Sequence, residues 1–505
     1  MTTHGKVQDL LTSIKVAQQR PLGDPRLEGL IGLEKSTFTE TASATSGLTF
    51  YDLEVGAKLL YPVLTPLRNA IPRVSGKGGI QANWRAITAI NTAGLRFGVS
   101  AANRGGALAV ATQDFTAAYK GIGVETSVDF EAQYAGQGFD DIRAVAAKTG
   151  LEALMLGEEA MILGGNASAP LGTTPTPTLV ASSTGGSLAS QTLSVIAVAL
   201  TLDGVMNGSV AGGIQASITR TNADGTSDTF GGGAAKPSAN ATVSITGPDG
   251  SVAASISAVK GALGYAWFWG AAGSEVLGAI TSINSIVITA AAAGTQTAAS
   301  LGASDNSANL LAFDGLISQA VKTNSGAYVA LQPTGTAGTG TPLTADGAGG
   351  VVEIDAALKS LWDNFRLSPD TIWVSSQEAL NISKKILTGS AVAAQRFVFE
   401  TSQNAIGGGV MVRTYLNRFS MQGGSALDIK VHPNMPAGTV LMTTKALPYP
   451  LSGVGNVMQI RTRQDYYQIE WPLRSRKYEY GVYADEVLQH YFPPSLAVIS
   501  NIGNG

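Results

Sequence analysis

The sequence contains no cysteine, and this absence removes several kinds of chemistry at once. Without a thiol the chain forms no disulfide, offers no thiolate nucleophile and builds no cysteine-based zinc site. Histidine is also scarce, because only His4, His432 and His490 are present, and none has a second ligand three or four positions away on a helix. The sequence therefore gives little support to a metal centre.

Charged residues make up only 14% of the 505 residues, against about a quarter in an average soluble protein. The net charge of −3 provides no overall attraction to nucleic acid, so any such contact has to be local. Glycine, alanine, serine and threonine take the place of the missing charge. This composition favours sheets, turns and closely packed subunit surfaces over the surface of a highly charged enzyme.

Long hydrophobic runs are absent as well. The longest apolar stretch, Leu193 to Leu202, is too short to cross a bilayer. The N-terminal residues lack the apolar centre of a signal peptide. We therefore expect a soluble chain that contacts no membrane and is used inside a cell, unless a dedicated export route exists.

No catalytic or nucleotide-binding signature is present. The sequence has no G-x-S-x-G elbow, and the glycine-rich segments Ser75–Gly79 and Gly231–Lys236 lack the Ser or Thr and the helix of a phosphate loop. Glu158 and Glu159 form an adjacent acid pair, but neighbours on a helix point about 100° apart. We interpret this pair as a solvated or intersubunit charge, and we expect neither enzymatic activity nor a bound cofactor.

An extended hairpin is predicted after Gly79. Apolar and polar residues alternate from Ile80 to Ile90, with Trp84 on one face and Arg85 on the other. The same alternation returns from Tyr119 to Phe130, which we predict to be the partner strand. The glycine- and alanine-rich tip between them carries Arg96 and Arg104, which are interpreted equally well as solubilising groups and as docking groups for an acidic or phosphate surface. A two-stranded hairpin is marginal in water, so we expect it to lie against another surface.

The strongest helix signal runs from about Phe139 to Leu163. Asp140 and Asp141 lie at its start, as the helix dipole prefers, and glycines end it. Residues 166–305 then change in composition, with only three Lys or Arg and six Asp or Glu. Short strand-like runs between turn signals predict an inserted β-sandwich, with Trp267 and Trp269 in its core.

The remaining residues mix helices and strands. A flexible tract is expected from Pro333 to Gly350, and a helix is predicted from Val352 to Phe365. The end of the chain is rich in strands and contains RSRKYEYGVYADE at residues 474–486. Its basic side chains, Arg474, Arg476 and Lys477, are balanced by nearby carboxylates. We therefore interpret this stretch as a strand whose charges pair within or between subunits, with contact to packaged DNA as the alternative.

The order of these parts resembles the tailed-bacteriophage major capsid proteins of the Hong Kong 97-like fold. The resemblance is carried by NWRAITAINTAGLRFG, GLEALMLGEEAMILGGN, AFDGLISQ, SPDTIWVSSQEALNISKKIL and WPLRSRKYEYGVYADEVLQHYFP. The segment GYAWFWGAAGSEVLGAITSINSIVITA resembles the immunoglobulin-like modules that decorate some phage capsid subunits. Together these runs cover most of the chain.

The resemblance implies an α+β fold with named parts. These are an N-terminal arm (1–69), an E-loop hairpin (70–130), a spine helix (131–165), an immunoglobulin-like insertion (166–305), an axial domain (306–435) and peripheral-domain strands (436–505). The insertion is expected to project from the outer surface and to be partly dispensable, because its strand set looks self-contained.

The function implied by the resemblance is structural. Copies of the chain would form hexamers and pentamers of an icosahedral shell in the virion, assembled in the host bacterial cytoplasm around double-stranded DNA held by weak non-specific contact. The implied partners are a separate scaffolding protein, a portal and a decoration protein. The candidate assembly-interface residues are Trp84, Arg85, Arg96, Arg104, Glu158, Glu159, Arg474, Arg476 and Lys477.

Two other classes of protein remain open at this stage. A bacterial surface-layer or adhesin protein would explain the insertion and the Ser, Thr and Gly content, but it predicts an export signal and repeated modules. An enzyme would need a site within residues 350–430, where Asp355 and Lys384 are the residues to mutate. No convergent acid, base and nucleophile set is evident there.

Overall fold

The computed structural model describes residues 60–90, 98–136, 140–388, 411–421 and 423–505. These residues form a mixed structure of helices and sheets, and the predicted α+β class is confirmed. The helices are α1 (Pro66–Ala70), α2 (Phe130–Ala135), α3 (Ile142–Gly164), α4 (Leu202–Asn207), α5 (Leu316–Val321), α6 (Val352–Phe365) and α7 (Ser376–Thr388).

The strands in the described part of the chain form six sheets. The strands of the first half are β1 (Arg73–Ser75), β2 (Gln81–Ile90), β3 (Val110–Ala118), β4 (Lys120–Asp129), β5 (Thr178–Ser182), β6 (Gln191–Leu200), β7 (Ser217–Thr221), β8 (Ser227–Gly231), β9 (Ala241–Ile245) and β10 (Ser251–Ser255). The later strands are β11 (Gly264–Gly270), β12 (Val276–Thr281), β13 (Ser285–Ile288), β14 (Tyr328–Leu331), β15 (Thr371–Val374), β16 (Thr414–Asn417), β17 (Ser425–Val431), β18 (Val440–Thr443), β19 (Met458–Glu470), β20 (Lys477–His490) and β21 (Ala497–Ser500).

Helix α3 lies on one face of a four-stranded sheet with the order β1-β19-β20-β4. Leu154 of the helix packs against Val482 and Ala484 of β20. Gly150 allows the close approach, because a Cβ at this position would lie 3.0 Å from the Thr126 methyl group. The predicted long helix is confirmed, although it begins at Ile142, where the Asp141 carboxylate accepts the first backbone N–H groups.

A six-stranded mixed sheet, ordered β14-β21-β18-β15-β17-β16, forms a second layer with α6 and α7. Helix α6 has the predicted bounds, Val352–Phe365. The tract expected to be flexible, from Pro333 to Gly350, instead contributes the buried Leu343 to this core. A side chain that is buried in the core holds the backbone around it in place.

The predicted boundary at residue 436 is wrong, because β18 and β21 lie in the six-stranded sheet rather than beside β19 and β20. Both strands are buried along their whole length. Strands that are apolar on both faces fit the middle of a sheet covered on both sides, whereas β19 alternates in exposure towards its end. The chain therefore crosses from one layer to the other and back again.

The insert, residues 166–305, contains two sheets that face each other across one core. The sheets have the orders β13-β10-β5 and β12-β11-β6-β9, and their shared core includes Val252, Trp267 and Trp269. The Trp267 indole donates to Thr281 Oγ1 at 2.8 Å, so its one polar atom is satisfied. These contacts agree with the predicted sandwich and place both tryptophans as expected. An immunoglobulin-like topology stays a prediction.

The insert shares part of its core with the rest of the chain. Leu202 and Leu263 belong to the same buried cluster as Phe313 and Leu316, which lie outside the insert. Its strand set is self-contained, as predicted, but its core is not. This shared core weighs against the expectation that the insert is dispensable.

The hairpin consists of β2 and β3, and the predicted partner strand is wrong. β2 pairs with Val110–Ala118, a segment that the sequence pattern assigned to the tip. The predicted partner instead forms β4 and pairs along its whole length with β20. Both segments alternate with period two, so the pattern alone does not distinguish between them.

Candidate assembly surfaces

The base of the hairpin packs on the body through Trp84. Its ring stacks on Phe115 across the hairpin, with centroids 5.8 Å apart, and meets the edge of Tyr491 at 5.7 Å. Ala82, next to it on the same face, is buried. Trp84 therefore makes its ring contacts within its own chain, at the point where the hairpin leaves the body.

Beyond this base the hairpin is open to solvent on both faces. Three of its large apolar side chains are exposed there: Ile87 by 66%, Ile90 by 54% and Val110 by 46%. A two-stranded ribbon has no second layer that could cover such residues. Exposed apolar side chains of this kind are candidates for contact with another protein.

The charged candidates on the hairpin differ in their surroundings. Arg85 forms a bidentate pair with Asp114 on the opposite strand, at 2.6 and 2.8 Å, and this arginine lowers the pKa of Asp114. Arg104 is exposed in the tip. Arg96 lies outside the described residues.

The basic stretch at the end of β19 and the start of β20 is partly neutralised within the chain. Arg476 pairs with Glu131 at 2.7 Å, and Lys477 pairs with Asp129 at 3.3 Å. Arg474 is exposed in the turn between the two strands. The intrachain form of the predicted charge pairing therefore holds for two of the three residues.

Glu158 is buried, and the expectation of a solvated or intersubunit charge is wrong for it. Its carboxylate accepts from Arg68 Nε at 3.1 Å, and it also accepts from Arg73 and from the Tyr466 hydroxyl. Arg68 and Arg73 lie in and after α1, so both cations come from the chain that precedes the hairpin. A buried carboxylate requires such partners, because desolvation penalises an unpaired charge.

Glu159 is also buried, so the same expectation is wrong for it too. It accepts from the backbone N–H of Leu67 at 2.8 Å and of Arg68 at 2.7 Å, at the start of α1. His432 Nε2 lies 2.6 Å from the same carboxylate. The adjacent glutamates thus contact different groups, as their divergent directions on a helix require, but both hold α1 against α3.

Glu486 of β20 completes this group of side chains, which we call the junction cluster: Arg68, Arg73, Glu158, Glu159, His432, Tyr466 and Glu486. The Arg73 guanidinium donates to Glu486 Oε2 at 2.7 Å. Burial and the nearby Glu158 charge raise the pKa of Glu486 to about 8 from its ordinary 4.5. The cluster joins α1, β1, α3, β19 and β20 at one buried point.

Most of the junction cluster was not found from the sequence. Arg73 lies hundreds of positions before Tyr466 and Glu486 in the sequence, and no spacing rule connects the three residues. A weak signal existed in the charged pair inside the predicted α3, because a helix that packs on a sheet seldom carries two acids without partners.

The two residues named for mutation in a test of enzymatic activity, Asp355 and Lys384, both lie on helices of the body. Asp355 accepts from the Tyr415 hydroxyl at 2.7 Å and lies 3.7 Å from Arg418. Lys384 is on α7. Within the described ranges, no group of three His, Cys, Asp or Glu is arranged to hold a metal ion, and no helix is long and apolar enough to span a membrane.

Comparisons with known proteins give matches at the level of structure alone. No protein-family profile and no curated protein matches the sequence. Solved structures that superpose on the chain include the capsid of cyanophage A-1(L), with 10% identity over 90% of this chain and 97% of that one, at a TM-score of 0.41. Another is the capsid of Myoviridae phage XM1, with 10% identity over 92% and 100% and a TM-score of 0.37.

A third is an encapsulin complex from Synechococcus elongatus PCC 7942, with 8% identity over 95% of this chain and 96% of that one, at a TM-score of 0.38. All three are described as capsids or an encapsulin. At these identities and TM-scores the likeness carries no functional conclusion, so the function proposed next rests on the contacts of this chain.

Proposed function

We propose that this chain is the major capsid (head) protein of a tailed bacteriophage, a non-enzymatic subunit of an icosahedral shell. The observation that carries the proposal is the hairpin β2–β3, whose apolar residues lie exposed on a ribbon without a second layer. An isolated two-stranded hairpin is marginal in water. A neighbouring copy of the chain would supply the missing surface.

The arrangement of the body supports the same proposal. A 23-residue helix and a sheet with strands of 13 and 14 residues form a long, stiff unit, and the hairpin leaves from one end of it. The scarcity of charge allows extensive contacts between identical subunits, as closed symmetric assemblies require. Repeated hairpin-to-neighbour contacts would link subunits into hexamers and pentamers.

The partners follow from a shell of this kind. A separate scaffolding protein, a portal and a decoration protein would act during or after assembly in the host bacterial cytoplasm. Double-stranded DNA would be held inside the virion by weak non-specific contact, consistent with a net charge of −3. The insert, with its self-contained set of strands, would lie on the outer surface.

Electron microscopy tests the proposal directly. The full chain would be expressed with and without its scaffolding partner, purified by sedimentation and viewed in negative stain. We expect closed particles of uniform size. Material that stays monomeric or dimeric under every assembly condition would contradict a role as a shell subunit.

A further inference from the structure

Two buried carboxyl groups meet on one guanidinium in the junction cluster. Arg73 donates through Nη1 to Glu158 Oε1 and through Nη2 to Glu486 Oε2. Both glutamates are almost fully buried, with side-chain exposures of 1% and 0%. The two carboxyl groups therefore lie on the same cation, close enough that Glu158 contributes to the raised pKa of Glu486.

The charges in the cluster do not balance without a bound proton. Glu158, Glu159 and Glu486 are three buried carboxyl groups, whereas Arg68 and Arg73 provide two positive charges. His432 adds none, because its Nδ1 accepts from the Asn434 N–H at 3.1 Å and its Nε2 therefore carries the hydrogen that Glu159 receives. One carboxyl group remains without a compensating charge.

Glu486 is the group that carries the excess. Its Oε1 atom is buried and has no hydrogen-bond donor among the described residues. The Glu158 carboxyl group, in contrast, accepts hydrogen bonds from three donors: Arg68, Arg73 and Tyr466. A hydrogen on Glu486 Oε1 removes the surplus charge and turns an oxygen that lacks a donor into a hydroxyl group.

The other charged groups near the pair leave this assignment unchanged. Asp465 on β19 forms a salt bridge with the Arg73 guanidinium at 2.7 Å, and its side chain is 56% exposed. Lys120 lies opposite Glu486 in the register of β4, but its ammonium donates to the Leu310 carbonyl at 2.5 Å. No further cation from these elements reaches Glu486 within the described part of the chain.

We propose that Glu486, which binds the same arginine as Glu158, keeps its proton in the folded subunit, and that this proton fixes the segment Thr65–Ser75 to the body. The segment contains α1 and β1 and leads directly into the hairpin. Loss of the proton at alkaline pH places two negative charges on Arg73 and weakens the hold on β1. The base of the hairpin is then released from its fixed position, so the pair acts as a proton-dependent latch on the hairpin.

This latch belongs to the folded subunit, so its test does not depend on shell assembly. The direct readout is infrared spectroscopy of the full chain, in which a neutral carboxylic acid has its own C=O stretching band. We expect the Glu486→Gln variant to lose one such band at neutral pH. Asp485→Asn, on the opposite face of β20 and paired with Arg463, is the matched control and should retain it.

The pH dependence provides the second readout. Burial raises the pKa of Glu486, so the folded state binds a proton that the unfolded chain releases, and stability falls as pH rises from the ordinary value of 4.5 to about 8. The melting temperature of the wild type should fall over this interval, and Glu486→Gln should flatten the decline. In parallel, hydrogen exchange in residues 65–75, corrected for intrinsic rates, should accelerate above about pH 8 in the wild type only.

Two outcomes would overturn the proposal. In the first, the wild-type spectrum shows no carboxylic-acid band that is lost as pH rises through the interval. This measurement does not depend on the folding of a variant. The other is a Glu486→Gln variant that keeps the band and the wild-type pH dependence, which would place the proton elsewhere.

Discussion

The hairpin β2–β3 and the strand pair β6–β11 of the insert are both antiparallel, yet they are supported in opposite ways. β11 is buried from Gly264 to Trp269, because the sheet that contains it is covered on both faces. β2 has one buried residue, Ala82, and its last four residues, 87–90, are all exposed. Strand pairing alone therefore does not bury the side chains of a strand. They are buried only where another sheet or a helix covers the strand.

This difference separates two kinds of residue. Apolar side chains in the insert stabilise the folded subunit, whereas those of the hairpin beyond Trp84 contribute little to it and are open to contact with another molecule. Mutations in the two regions should therefore affect different measurements. The following predictions test this separation.

Removal of the Trp267 side chain should have the largest effect on stability. This indole is fully buried between the sheets of the insert, and Trp267→Ala should lower the free energy of unfolding by about 3–5 kcal/mol. Chemical denaturation followed by fluorescence measures the change. The matched variant Ile87→Ala on the hairpin should shift the same curve by less than about 0.5 kcal/mol. A loss of equal size in both variants would remove the distinction between the regions.

Acid should weaken the body through His490. Burial lowers the pKa of this histidine to about 3 from 6.5, so the unfolded chain binds a proton that the folded state excludes. Stability should therefore decrease as pH falls from 6.5 towards 3, by up to about 1.4 kcal/mol for each pH unit. His490→Gln should reduce this slope in a series of denaturation curves. An unchanged slope would show that other groups cause the acid sensitivity.

The contact between the insert and the six-stranded sheet should have an intermediate effect. Asn284 donates to the Ile256 carbonyl at 2.6 Å and exchanges hydrogen bonds with Asn501, beyond β21. Asn284→Ala should cost about 1–3 kcal/mol, because buried polar partners lose their bonds.

Asn501→Gly is the matching change on the other side, since Asn501 has a positive φ of 63° that glycine adopts easily. A double-mutant cycle of the two variants should show coupling of about 0.5–3 kcal/mol. Strictly additive effects would indicate that this pair of side chains does not couple the insert to the sheet.

The smallest effect is expected at Arg85. Its pair with Asp114 is exposed on both sides, at 69% and 63%, where solvent screens the attraction. Arg85→Ala should leave the melting temperature of the subunit unchanged in calorimetry. A clear destabilisation would mean that the hairpin contributes to the stability of the isolated chain, contrary to the comparison above.

The sequence predicted those elements whose signals are local. The helix Val352–Phe365 and the long helix α3 follow from apolar periodicity and capping residues, and the buried Trp267 follows from its strand between turn signals. The hairpin partner was predicted wrongly because Val110–Ala118 and Lys120–Asp129 alternate alike. The pairing is decided by β20, more than 340 positions away, which no local pattern contains.

The candidate residues show the same limit. Strand alternation placed Arg85 on the polar face of its strand, and the balance of nearby charges predicted that Lys477 is paired. In the structure Arg85 pairs with Asp114 and Lys477 pairs with Asp129, each on a neighbouring strand. Glu158 and Glu159 were misjudged because their partners come from α1, β1 and the loop at His432. Whether a charge is buried depends on the tertiary partners that approach it, and helix geometry alone does not reveal them.

Assembly of a matched pair of variants tests the central claim most directly. Ile87 on the hairpin is 66% exposed and Val180 on β5 of the insert is 64% exposed, so both positions accept a glutamate without burying it. Ile87→Glu and Val180→Glu would be compared with the wild type by sedimentation and negative-stain microscopy. Both should melt like the wild type. We predict that Val180→Glu forms closed shells and Ile87→Glu stays unassembled, and normal shells from Ile87→Glu would contradict the account.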